Sequence, residues 1–161
     1  MAWTAGADRL TGDLITSAQW NNYLGATGSL EYLKGRFNWL AASVQLVADL
    51  NRSTDLAFTD KDITANTSAT AAWAVLRLSI STDSTGGSGD MAQLAVRRNG
   101  DTPTNYPDLW TNSNNGDLDG AYVTGMVIVG LDASQIFEYA IQITGTIQVD
   151  SWIHLLGYID G

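Results

Sequence analysis

The stretch AWAVLRLSIS, residues 72–81, sets Leu76, Leu78 and Ile80 on one side of an extended chain and Arg77 and Ser79 on the other. Successive side chains of a strand point to opposite faces, so this period of two reads as a β-strand with one face turned to a core. A second stretch, QIFEYAIQI at residues 135–143, repeats the pattern: Phe137, Tyr139, Ile141 and Ile143 alternate with Glu138, Ala140 and Gln142. Strands of this kind bury their apolar face against another layer.

Working outward, further strands are predicted at Ser43–Asp49, Asp55–Phe58, Met91–Arg98, Tyr122–Val129 and Trp152–Ile159. Turn-rich segments separate them: TDSTGGSGD at 82–90, RNGDTPTNYPD around Asn99-Gly100, and TNSNNGDLDG at 111–120. Many short strands without intervening helices predict an all-β domain over residues 41–161, a jelly-roll-like antiparallel β-sandwich. Composition agrees. Seventeen Thr, sixteen Gly, ten Asn and fifteen Asp against two Glu and two Lys favour pleated surfaces and turns over helices.

The opening residues, 1–40, read differently. Gly6 and Gly12 punctuate an extended arm, and Thr16 with Gln19 three positions on has the spacing of a capping box, which predicts a helix from about Ser17. Trp20, Tyr23, Leu24, Thr27 and Leu30 then fall on one stripe. A competing pattern, Leu30, Leu33, Phe37, Leu40, Val44 and Val47, has the 3-4 spacing of a short coiled coil and leaves the junction with the first strand open. Trp3, Leu10, Trp20, Tyr23, Leu24, Leu30 and Leu33 are the expected docking and oligomer contacts, because an uncovered aromatic stripe needs a partner surface.

Charge and composition restrict the function. With eight basic and seventeen acidic residues in 161, the formal charge is -9, which disfavours nucleic acid as a partner. The chain has no cysteine, and His154 is its single histidine, so thiol chemistry and two-histidine metal sites are excluded. No apolar run is long enough to predict a membrane span, and no secretory leader is expected. There is no G-x-S-x-G elbow and no phosphate-cradling glycine motif.

The seventeen carboxylates offer no marked acid pair, since most Asp residues sit in turns where they cap local backbone groups. NGDLDG at 115–120 has some features of a calcium loop, but Ile128 stands where the twelfth-position Glu belongs. A plain turn is the first reading there, with a calcium ion between loops left open. No catalytic residue, cofactor or metal is therefore expected. Tyr106, Trp110 and Tyr122 flank loops and are the candidate aromatics for stacking on a sugar.

At its two ends the chain resembles tailed-bacteriophage virion accessory proteins. The N-terminal resemblance lies in Trp3-x-x-Gly6, LTGDLITSAQWNNYL at 10–24 and SLEYLKG at 29–35. The C-terminal one lies in GMVIVGLDASQIFEYAIQ at 125–142 and WIHLLGYI at 152–159, which are similar to the closing strands of jelly-roll modules on head fibres, head decoration proteins and tail fibres. The resemblance implies a non-enzymatic virion structural protein, assembled in the host cytoplasm and anchored to capsid or tail subunits by its N-terminal segment. It also implies a homo-oligomer, a trimer by preference. The alternative is a receptor- or carbohydrate-binding module at a fibre tip, with a host-surface glycan as its ligand.

Overall fold

The computed structural model describes residues 36–82, 89–112 and 122–161. The expected arm and helix, with Trp3, Leu10, Trp20, Tyr23, Leu24, Leu30 and Leu33, and the loop 115–120 all lie outside the described residues. The chain divides after Phe37, and Asn38–Gly161 form one compact unit.

That unit is all-β. Its strands are β1 (Phe37–Arg52), β2 (Leu56–Asp62), β3 (Ala71–Thr82), β4 (Met91–Arg98), β5 (Asp108–Asn112), β6 (Tyr122–Gly130), β7 (Ile136–Thr144) and β8 (Val149–Asp160). They form two four-stranded sheets, one ordered β1-β8-β3-β6 and the other β2-β7-β4-β5. Each pair with a determined register is antiparallel: β2 with β7, β3 with β6 and β8, and β4 with β5 and β7. The two sheets face each other as a sandwich.

The core follows from the period-two patterning. Ala74, Leu76, Leu78 and Ile80 of β3 are fully buried beside Val149, Ile153 and Leu155 of β8. Opposite them lie Ala92, Leu94 and Val96 of β4 and Phe137 and Ile141 of β7, with Tyr139 and Ile143 packed at the margin. Removing each large apolar side chain from water contributes about 1.5–3 kcal/mol before the entropy of ordering is charged against it. The predicted inward sets of β3 and β7 are those observed.

Three differences from the sequence reading have local causes. The coiled-coil spacing fails from Phe37 onward, because β1 is a strand whose Leu40, Val44 and Leu46 pack on the core while Gln45 faces the other way. Trp39, expected outside the β domain, is therefore a β1 residue. Strand β2 runs on to Asp62, where the Asp62 carboxylate accepts the Thr64 amide and starts a 3-10 turn at Thr64–Asn66. β5, which the sequence reading did not predict, is short and bordered by Pro107 and the 113–121 segment; Leu109 alone points it at the core.

Gly157 marks where β1 joins the sheet: a Cβ there would stand 2.5 Å from the Asn38 carbonyl oxygen and 3.2 Å from the Trp39 Cα. Backbone cannot yield as a side-chain tip can. Gly157→Ala is therefore expected to cost about 1–3 kcal/mol, the usual range for overpacking, and to speed amide exchange in β1 ahead of β4. Unchanged protection of β1 would show that the close approach is not needed. Leu78→Ala, which opens a cavity between the sheets, is expected to lower the urea-derived stability by about 2–5 kcal/mol.

Candidate functional site

Inward-facing residues of the β1-β8-β3-β6 sheet are the alternates of a second set facing outward. Register assigns the outward rows directly. Asp150, Ser81 and Tyr122 lie in line across β8, β3 and β6; next come Trp152, Ser79 and Thr124, then His154, Arg77 and Met126. Gly157, Val75 and Ile128 form the fourth row and Ile159, Trp73 and Gly130 the fifth. Tyr122 (58% exposed), Met126 (64%), Ile128 (52%) and Trp73 (50%) are large apolar side chains left in solvent. Scattered apolar residues on a surface are ordinary, but a contiguous set on one sheet face is informative.

Within this face Gln45 of β1, Ser79, Tyr122, Trp152 and His154 line a shallow depression of about 250 Å³. Tyr122 and Trp152 form its aromatic wall, with ring centroids 6.3 Å apart and planes tilted by 50°. Ser79 is buried between its neighbours and shares a hydroxyl–hydroxyl bond of 3.2 Å with Thr124, whose Oγ1 donates to the Leu78 carbonyl at 3.0 Å. His154 Nδ1 is buried without a hydrogen-bond partner. Burial, and secondarily the Arg77 charge in the same row, hold the imidazole below its ordinary pKa. At neutral pH it is uncharged. The depression thus offers ring faces, two amide or imidazole groups and a hydroxyl, which is chemistry suited to recognition.

The three candidate loop aromatics do not come together. Tyr122 is a β6 residue on the face just described. Trp110 is a β5 residue on the other sheet, half-exposed, its indole N–H donated to Asp108 at 2.9 Å. Tyr106 meets Phe58 edge-on at 5.3 Å, and the Arg97 guanidinium lies 3.8 Å above the Phe58 ring. The three were grouped by the loops they flank, whereas strand register sets Tyr122 beside Trp152. Parity along β8 was the available signal, since Trp152 and His154 alternate with the buried Ser151 and Ile153.

The other outward face mixes polar pairs with the exposed Met91 and Trp110. Arg97 pairs with Glu138 across β4 and β7 at 2.6 Å, and Gln93 donates to Asp108 at 2.5 Å. Elsewhere carboxylates are consumed by the backbone. Asp132 accepts the amides of Ser134 and Ile136 and the side chain of Asn99, Asp90 accepts the Thr146 amide, and Asp55 accepts the Ile143 amide. Burial pushes Asp132 upward in pKa, but its three hydrogen bonds and Arg98 outweigh this and hold it below the usual 3.8. Hydrogen bonds from Thr64 lower Asp62 likewise. Among the described residues no group of three metal-ligating side chains is assembled, and no helix is long and apolar enough to cross a membrane.

No family model and no curated protein matches this sequence. Among solved structures, that of Bacillus endospore appendages, a family of disulfide-linked pili, is similar over 79% of this chain and 93% of that one, at 13% identity and a TM-score of 0.37.

The site makes a pH prediction. The unfolded chain takes up a proton on histidine near pH 6.5 while the folded one resists it, so the unfolded state binds more protons in that range. Stability from His154 is therefore full above about pH 6.5 and declines as the pH falls below it. Melting temperature is expected to drop between pH 7.5 and 5.5, and His154→Gln is expected to flatten that segment of the curve. A separate loss, from Asp62 and Asp132, begins only as the pH falls below about 4 and persists in the variant.

Proposed function

We propose that this chain is a non-enzymatic structural protein of a tailed-bacteriophage particle, displayed on the virion surface as a head decoration or fibre protein. In this reading the residues that precede β1 dock on capsid or tail subunits and join copies of the chain, preferentially as a trimer, while the sandwich of β1–β8 forms the displayed domain. The observation that carries the proposal is the strand order, β1-β8-β3-β6 facing β2-β7-β4-β5. Successive strands are dealt alternately to the two sheets through the first four and again through the last four, with β4 and β5 adjacent in one sheet, as in a jelly roll of eight strands. That fold recurs in viral capsid and lectin domains. The patterns at 10–24 and 152–159, which resemble phage accessory proteins, support the same reading. Fold alone does not specify function, so the virion assignment rests on the sequence resemblance together with the topology. Repetition over a symmetric particle makes weak individual docking contacts collectively strong.

A second reading, a carbohydrate-binding fibre-tip module, is favoured by the Tyr122–Trp152 wall with Gln45, Ser79 and His154 around it. Ring faces stack on sugar faces, and amide, hydroxyl and imidazole groups bond their hydroxyls.

Antiserum against the purified chain is expected to label the outside of intact particles of the phage that encodes it, and deletion of residues 1–35 to remove that label from the particles. Normal incorporation of the truncated chain would refute N-terminal docking. On a glycan array the second reading expects binding that Trp152→Ala reduces at least tenfold and Trp110→Ala leaves unchanged; a blank array counts against it.

A further inference from the structure

We propose that the outward face of the β1-β8-β3-β6 sheet is a contact surface between copies of this chain, centred on Tyr122, Met126, Ile128 and Trp152. It is a second interface, in the β domain itself and separate from the N-terminal segment.

Three observations select a second copy as the occupant. The first is area. Each of Trp73, Tyr122, Met126 and Ile128 leaves about half of its side chain in water. With about 150–250 Å² available on a large side chain, these four expose on the order of 400 Å² of apolar surface. A stable interface takes about 800 Å² from each partner, apolar at its centre and polar at its rim. Trp152, Ile159, Arg77 and Thr124 lie in the same rows and extend the patch toward that figure.

The second is charge. The whole chain carries -9, so two copies repel over most of their surfaces. On this sheet the β8 acids stand at the ends of the strand and are already engaged: Asp150 accepts the Asn51 amide, and Asp160 bonds Asn38, Ser68 and Thr70. Between those ends the rows carry Arg77 and an uncharged imidazole. A basic partner would find no free acid there, and an acidic copy meets no repulsion. The opposite sheet differs in carrying its acids, Glu138 and Asp108, within its outward rows, paired with Arg97 and Gln93.

The third is shape. The depression is shallow and its 250 Å³ falls below the 300–1,000 Å³ usual for an enclosed small-molecule site. A broad, shallow aromatic surface with one arginine has the composition of a protein contact, where Trp, Tyr and Arg contribute most.

The test uses the full chain. Light scattering behind size exclusion at about 20 µM is expected to give a multiple of 17.2 kDa, and the double variant Met126→Lys/Ile128→Lys is expected to shift it to a smaller species with an unchanged circular dichroism spectrum. Trp110→Lys, on the other sheet, is expected to leave the mass unaltered. Because the chain lacks cysteine, Met126→Cys supplies a unique thiol. It is expected to react with a bulky maleimide at least tenfold more slowly than Asp60→Cys under native conditions, and equally fast in urea. A monomeric wild type with a freely reacting thiol at 126 overturns the proposal. So does a monomer whose thiol is shielded, which would assign the face to the chain's own N-terminal residues. An oligomer unaffected by the lysine pair would place self-association in the N-terminal segment alone. The virion reading is tested separately, by particle labelling, and survives any of these results.

Discussion

The pleat of β3 is the constraint on which the rest of the molecule depends. It is flanked by β8 on one side and β6 on the other, so its inward residues, Leu76, Leu78 and Ile80, sit at the middle of the sandwich. A strand has only two sides, and once one is committed to the core the register assigns every residue of the neighbours to one face or the other. The same alternation that buries Ile153 and Leu155 turns Trp152 and His154 outward, and Val127 inward turns Met126 and Ile128 out. The outward aromatic face is therefore not a separate feature laid on the fold. It is the complement of the core.

Acidity is handled by geometry. Among the described residues five Asp side chains, at 55, 62, 90, 132 and 150, accept backbone amides at turns or strand ends. These amides lack ladder partners and need an acceptor, and a carboxylate gives the stronger, charge-assisted bond. Gly145 illustrates how closely one of them is held: a Cβ there would meet the Asp90 carboxylate, and the φ of +91° suits glycine in any case. An excess of Asp over Glu thus follows from a fold made of corners. The outward Arg97–Glu138 pair contributes less than its short distance suggests, since partly exposed ion pairs are worth about 0–1 kcal/mol.

Much of the sandwich was legible because its strands obey one period. The inward sets of β3 and β7 follow from alternation alone, and Gly, Asn and Asp mark the corners between. Legibility failed where another rule competed. Leu40 and Val44 are four apart, a spacing that both a helix stripe and one side of a strand satisfy, so β1 was ambiguous until its pairing with β8 decided it. β5 spans five residues with only Leu109 committed to the core, too little for a periodic signal. The grouping of Tyr122 with Trp152 joins residues thirty apart and depends on long-range register, which no local pattern encodes.

The two sides of the β1-β8-β3-β6 sheet bear unequal burdens. Its inner side would be apolar in any sandwich, but solubility asks the outer side of such a sheet to be polar, which the β2-β7-β4-β5 sheet meets in part with its Arg97–Glu138 and Gln93–Asp108 pairs. Met126 and Ile128 stand on β6, an edge strand, where lysine or a bulge would be the ordinary guard against association. Two exposed apolar residues at an edge, next to an aromatic pair and a buried imidazole nitrogen without a partner, run against that guard in consecutive rows. Nothing in the stability of the single sandwich calls for them, because Met126 and Ile128 bury about half of their surface at most. Local rules broken together without an internal gain point to a contact made outside the subunit.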